Sequence, residues 1–351
     1  MPRQRSIKIG EVKAMPGSKS HGFVKAGELP AADVRVPIYI INGTKPGPTL
    51  CVVAGDHADE WQGMDAAVRI YNFVDPKKLA GTVISCPYQN LPGFQGNANI
   101  GDHGVGRPNL GSNPLDGMNL SSAYPGKEDG TISQRIAHVI FNQLVMRADF
   151  VMDLHAGDVW EKMLPMSWYW TIGNKRADGD SEAMAKCYPT DFIMTESLEQ
   201  EEKRGEAVGL VGECTRKGIP AVLSEAGSAG LLEESAVNFH FTGVLNVMKH
   251  FKMIQGSPEG IKPIHRRFGK LHEIKASFGG FYTCKVDVDQ TVMKGDMVGE
   301  IKTIFGEPLE TLVSPADGCV LYFNTWPPVK SGDSLIRIAE ESRGVSRRKK
   351  R

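Results

Sequence analysis

No two cysteines in this sequence are spaced as Cys-x-x-Cys; the six, Cys51, Cys86, Cys187, Cys214, Cys284 and Cys319, are scattered. That scatter argues against a disulfide framework and against a cysteine metal site, and it is the pattern of reduced thiols. Net charge is also missing: 41 Lys and Arg are matched by 41 Asp and Glu. A balanced chain has no general attraction for nucleic acid or for an anionic membrane. Long apolar runs are absent as well. The opening "MPRQRSIKIGEVKAMPGSKS" carries charges but no apolar core of signal-peptide length, and no later stretch approaches a membrane span. The expectation is a soluble, cytoplasmic protein with no nucleic-acid or membrane partner; homo-oligomerisation stays open.

What is present is an alternation of short apolar runs with helical periodicity, over 351 residues that can bury a sizeable core. "TLCVVAG", "TVISCP", "ADFVMDL" and "IPAVLSEAG" read as buried strands. Between them, "DAAVRIYNF" reads as a helix, Ile132, Ile136, Val139, Ile140 and Leu144 recur at helical spacing, and Val237, Phe241, Val244, Leu245 and Met248 form the stripe of a later helix. The aromatic "EKMLPMSWYW" reads as core or subunit interface, with an apolar pocket or lid as the alternative. After the Gly/Pro/Ser linker "QGSPEGIKP" the pattern changes to short alternating strands such as "FYTCKVDV". There "VMKGDMV" and "VKSGDSL" repeat a Val, Gly-Asp, apolar pattern. The division expected is a catalytic domain over 1–258, a small β domain over 259–341 and a basic, disordered tail over 342–351.

Three of the apolar strands end in residues that can bind or use a metal. The first runs into "GDHADEWQG", with His57 and Glu60; the second ends "DLHAG", with His155; the third ends "SEAG", with Glu225. Ligands of open α/β sheets sit past the carboxyl ends of the strands. Two imidazoles and a carboxylate make an open zinc site, with a fourth position for water and work for a further carboxylate as base. Each residue also has a plainer reading: Glu60 as a helix cap, His155 as a hydrogen-bonded core histidine, Glu225 as a turn cap. Separate plain readings leave their common position at strand ends unexplained.

These motifs resemble the succinylglutamate desuccinylase and aspartoacylase family, within the zinc carboxypeptidase superfamily, from about Pro46 to Gly227 and more loosely beyond. "GDHADEWQG" is similar to the family's Gly-x-His-Gly-x-Glu element, "DLHAG" to its third ligand and "SEAG" to its catalytic glutamate. The resemblance implies Zn2+ on His57, Glu60 and His155, with Glu225 as base. It also implies a three-layer α/β/α domain with a mixed, largely parallel sheet, followed by a small all-β domain of barrel-sandwich shape. Carriers of that shape bear a lysine upstream of a Pro-x-x-Gly stretch; here "SPADG" is preceded by Glu307 in "FGEPLE", so the domain reads as structural.

One departure concerns the substrate. The family's Asn-Leu-Asn-Arg-x-Phe-Pro-Gly stretch, whose Asn-Arg pair grips a substrate carboxylate, is matched by "NPLDGMNLSSAYPG": Asn119 is kept, and Ser121 and Ser122 stand in for the pair. Arg107, in "GDHGVGRPNLG", could match the family's carbonyl-polarising arginine, and His103 beside it reads as a solvent histidine. The expected activity is zinc-dependent removal of a small acyl group from an amino-acid-like or amine compound. A metallocarboxypeptidase and a binding protein that keeps the fold without chemistry are the rivals; the missing clamp argues against the first, the intact ligand and base positions against the second.

Overall fold

The computed structural model describes residues 4–97, 111–204, 208–263 and 266–341. Arg107, His103 and the basic tail lie outside the described residues. The predicted strands form the centre of one large sheet. In spatial order its first eight strands are Phe192–Ser197, Met166–Thr171, Ala221–Glu225, Phe150–His155, Lys45–Ala54, Ala80–Cys86, Ala32–Asn42 and Ser18–Leu29. The Lys45–Ala54 strand pairs in parallel with both neighbours, and Phe150–His155 pairs in parallel with Ala221–Glu225. The order of strands therefore reverses in the middle of the sheet, and the carboxyl ends of three adjacent parallel strands open onto one place.

Both faces of this sheet are covered. One apolar core packs Val53, Ile84 and Val151 against Ile136, Ile140 and Leu144; the other packs Val52, Met152 and Val222 against Met64, Ile70, Val244 and Val247. Two helix expectations need correction. The Ile132 stripe does not run as one α-helix to Leu144: Ile132–Val139 is α-helical, and the chain then widens into a π turn over Ile140–Leu144. The Glu234–His250 helix buries Val237, Val244 and Met248 of the expected stripe, but Phe241 and Leu245 lie only partly buried at the margin of the same core, and the buried face also takes in Ala236, Phe239, His240, Gly243, Asn246 and Val247. Phe241 instead stacks edge-on with Phe73 of the neighbouring helix, ring centroids 5.4 Å apart. Big apolar side chains at helical spacing serve helix-helix contacts as readily as sheet contacts.

"EKMLPMSWYW" is core: Trp168 and Trp170 stack at 5.0 Å, and Met166, Tyr169 and Trp170 are buried. The large sheet then continues into the C-terminal region through Arg266–Lys275, Ser334–Glu341 and Gly318–Asn324. A second sheet of Gly280–Cys284, Met297–Lys302, Pro308–Val313 and Pro328–Val329 closes over these strands, with Val298, Ile301, Leu312, Leu335, Ile336 and Ile338 between the layers. The repeated Gly-Asp pattern builds the same turn twice. Asp296 Oδ2 accepts from the Met293 N–H at 2.8 Å and Asp333 Oδ2 from the Lys330 N–H at 3.0 Å, while Gly295 and Gly332 take φ of 93° and 90°. That left-handed region is open to glycine at little cost.

The C-terminal region also reaches the segment that follows His155. Gly318–Asn324 pairs antiparallel with Glu161–Met163, a strand that starts just past His155. No helix among the described residues is long and apolar enough to cross a membrane.

Candidate metal centre and its surroundings

The chain leaves the Lys45–Ala54 strand through Gly55, whose φ of 71° strains any other residue, and an added Cβ would lie 2.7 Å from Met64 Cε, so that the methionine would have to shift as well. The turn carries His57 and Glu60 to the mouth of the sheet, and the helix Trp61–Phe73 begins at once. Glu60 stands at the cap position of that helix and makes no side-chain cap hydrogen bond. Its carboxylate is used elsewhere. Oε1 lies 2.6 Å from His57 Nδ1, and Oε2 lies 3.0 Å from His155 Nδ1 and accepts from the Ala156 N–H at 3.0 Å. The capping reading of Glu60 is thereby replaced by one in which a single carboxylate joins the two imidazoles.

His57, Glu60 and His155 each offer a ligand atom, and these lie within 4.8 Å of one another. Glu60 and His155 are buried, at 2% and 4% exposure, and His57 is half-buried. Burial alone would push Glu60 up, but the charges of His57 and His155 outweigh it and hold the carboxyl down to about 2. Both imidazoles are raised well above their ordinary range, because Glu60 outweighs the burial that would lower them. The cluster thus sets one buried carboxylate between two imidazoles. Two neutral imidazoles and a carboxylate, with no thiolate among them, are the donor set of an open zinc site.

The ring of His155 is oriented from behind. Its Nε2 lies 3.3 Å from Asp153 Oδ2, which leaves Nδ1 to face Glu60. Asp153, 2% exposed, accepts from Gln89 Nε2 at 3.0 Å, and Gln89 in turn accepts from the Tyr124 hydroxyl. Such carboxylate partners fix the tautomer and direction of a metal-binding histidine. The sequence reading passed over Asp153, Gln89 and Tyr124. For Asp153 a signal was there, since a residue two before His155 on a strand shares its face.

Glu225 is in register with His155 on the adjacent strand. Its Oε2 is buried without a hydrogen-bond partner, and burial, reinforced by Glu60 and Glu161 against the opposing pull of His155 and His57, raises the carboxyl well above its usual range. An unpartnered buried carboxylate oxygen beside a cation-seeking cluster is a proton acceptor in waiting. The loop after it is braced by the helix that follows Glu60: Trp61 Nε1 donates to the Gly230 carbonyl at 3.0 Å, and Gln62 to that of Leu231.

The substituted segment lies against the same centre. Asn119 Nδ2 is 3.2 Å from His57 Nε2, the Ser121 N–H donates to Asn119 Oδ1 at 2.9 Å, and the Ser121 hydroxyl donates to the buried Asp56. Ser122 is exposed on the short helical turn Leu120–Ala123. Further carboxylates crowd the centre: Asp56 and Asp59 are buried, and Asp158 and Glu161 are half-buried. Burial pushes all four up, and each feels the charge of His57.

Residues 46–251 match the family model described as the succinylglutamate desuccinylase/aspartoacylase catalytic domain. The chain is 26% identical over 244 residues to the N-alpha-acetyl-L-2,4-diaminobutyric acid deacetylase of Halomonas elongata, a match that covers 67% of this chain and 65% of that relative's length. Among solved structures, it is similar to the product-bound ectoine utilization protein EutE (DoeB) of Ruegeria pomeroyi, with a TM-score of 0.82 at 20% identity over 97% of this chain and 99% of the other. It is also similar to a succinylglutamate desuccinylase/aspartoacylase of Rhodobacter sphaeroides, with a TM-score of 0.79 at 22% identity over 92% and 96% of the two chains. At these identities the structural likenesses carry the fold.

Proposed function

The chain belongs to the succinylglutamate desuccinylase/aspartoacylase family, and on that premise we propose that it is a zinc-dependent amidohydrolase that removes a small acyl group from an N-acylated amine or amino-acid-like compound. The observation that carries this reading is the juxtaposition of His57, Glu60 and His155, with ligand atoms within 4.8 Å, and Glu225 in register beside His155. His57, Glu60 and His155 would hold the ion. A zinc ion bound there supplies Lewis acidity, which makes water more acidic and the amide carbonyl more electrophilic.

The protein's own groups do the remaining work. Glu225 takes a proton from the water as its oxygen bonds to the acyl carbon, and delivers that proton to the amine nitrogen as the C–N bond breaks. The products are a carboxylic acid and a free amine. Asp153 and Asn119 hold the two imidazoles in orientation during this cycle. Ser121 and Ser122 face the amine side of the substrate, and Arg107 is proposed as the carbonyl-polarising cation. The protein is further proposed to work in the cytoplasm.

Substrate choice follows from charge. A guanidinium gripping a carboxylate makes paired, charge-assisted hydrogen bonds, worth about 1.5 to 3 kcal/mol each, which neutral serine hydroxyls cannot replace. The half-buried carboxyls of Asp158 and Glu161 would be held ionised by a cationic group bound beside them. The deacetylase from Halomonas elongata is named for a diamino acid, which carries a second amine. An N-acylated compound with a free ammonium group is therefore the proposed substrate class.

A panel of N-acyl amino acids and diamines tests this, including Nα-acetyl-L-2,4-diaminobutyrate and pairs that differ only in a free or amidated carboxylate. The expected result is a kcat/KM that changes by less than about tenfold, or about 1.4 kcal/mol, between free acid and amide, with N-acetylaspartate, succinylglutamate and peptides with free C-termini as poor substrates. A stronger preference for the free acid would show that another cation, Arg107 first, has taken over the clamp.

A further inference from the structure

His240 has no part in the chemistry above, yet among the described residues it is the imidazole bonded to both neighbours of the proposed base. It sits on the Glu234–His250 helix, 0% exposed, in a stripe that is otherwise mostly apolar. Its Nδ1 accepts from the Ser224 hydroxyl at 2.9 Å and its Nε2–H donates to the Ala226 carbonyl at 3.3 Å. The ring thus holds the residues on both sides of Glu225. The Ala226 N–H in turn donates to the His155 carbonyl at 3.2 Å, so the same short segment ties the base to the strand end that carries the third ligand.

The geometry has a directional consequence. Side chains alternate along a strand, so Ser224 points into the helix layer while Glu225 points the other way. The direction of the Glu225 carboxylate is set by the peptide groups on either side of it, and those are the groups whose neighbours the imidazole grips. An apolar residue would fill the same volume with no desolvation cost, whereas a buried imidazole is tolerable only when both nitrogens are satisfied. Both are, in the single neutral tautomer that has hydrogen on Nε2. Burial holds the ring's pKa down to about 4, so it keeps that form at neutral pH.

We infer that His240 is a positioning residue for Glu225: by bonding Ser224 and Ala226 together it aims the base at the centre formed by His57, Glu60 and His155. The inference rests on the reading of Glu225 as general base. Misplacing a reacting group by about 1 Å can cost on the order of a hundredfold in rate, and that is the scale of effect the clamp controls.

The test compares His240→Phe, His240→Gln, Ser224→Ala and Glu225→Gln, using Nα-acetyl-L-2,4-diaminobutyrate or whichever panel member the wild-type protein turns over fastest. In His240→Phe, kcat should fall on the order of a hundredfold with KM and zinc content unchanged. Amide exchange should quicken at residues 225–227 and stay as in the wild type along the Lys45–Ala54 strand. His240→Gln, whose side-chain amide can still donate to the Ala226 carbonyl, should recover most of the loss. Wild-type kcat in the Phe variant, a loss that Gln does not recover, or a loss matched by missing zinc would each overturn the inference. Should the Phe variant not fold, Ser224→Ala decides: a lower kcat with KM and zinc retained supports the clamp, and an unchanged kcat rejects it. Full turnover in Glu225→Gln would instead remove the base assignment, whereas an inactive Glu225→Gln beside a fully active His240→Phe rejects the clamp alone.

Discussion

Glu225→Gln is expected to lower kcat by about a hundredfold to ten-thousandfold, the usual effect of removing a general base, while zinc stays bound. The substitution keeps the length and shape of the side chain and removes only its ability to take a proton. Zinc should remain because Glu225 is not among the three clustered donors, His57, Glu60 and His155. The fold should also hold, since the buried Oε2 makes no hydrogen bond that the amide would have to replace. Steady-state turnover and elemental analysis on one preparation check both halves. Turnover within about tenfold of the wild type would fall outside the range for base loss and exclude Glu225 from the role.

His155→Ala is expected to abolish both stoichiometric zinc and turnover. It leaves one imidazole and one carboxylate, too few protein ligands for a tight site of this kind. The variant also strips two buried carboxylates of a partner: Asp153 loses the Nε2 that lies 3.3 Å away, and Glu60 loses the Nδ1 at 3.0 Å. Uncompensated buried charge is costly, so a fall in melting temperature should accompany the loss of metal. Circular dichroism at low temperature separates loss of metal from loss of fold. Stoichiometric zinc in a folded His155→Ala protein would show that the ligand set is misassigned.

The residues proposed as ligands and base were legible because that chemistry constrains both residue type and place. Donors for one ion must converge, and in a parallel sheet convergence means the ends of neighbouring strands, which the runs before His57, His155 and Glu225 mark plainly. The supporting residues were less visible. Gln89 and Tyr124 reach Asp153 from segments far away in the chain, and no local pattern announces such a contact. His240 was hidden by the apolar residues around it, because the buried face that holds Val237, Val244 and Met248 of the expected stripe also takes in a histidine that no apolar pattern marks.

The N-terminal hairpin escaped for a different reason. Along Ser18–Leu29, at the sheet's outer edge, burial alternates over residues 21–26, but the inward positions hold Gly22, Val24 and Ala26 while Phe23 is exposed, so the residue types show little of the apolar alternation that marks a half-buried strand. Its partner Ala32–Asn42 is more buried, but much of its apolar content falls on consecutive residues, a run that periodicity cannot assign. The continuation of the large sheet into the C-terminal region was equally beyond local reading. The linker marks a change of composition, whereas the pairing of Phe192–Met194 with Arg266–Phe268 across it depends on tertiary placement.

The central claim, that catalysis depends on one zinc held by His57, Glu60 and His155, is tested most directly by stripping the wild-type protein with a chelator and titrating zinc back while turnover is followed. Turnover should vanish in the metal-free protein and return in proportion to added zinc, levelling off at about one equivalent per chain, the stoichiometry of a single three-ligand site. Full turnover by the metal-free protein would contradict the account.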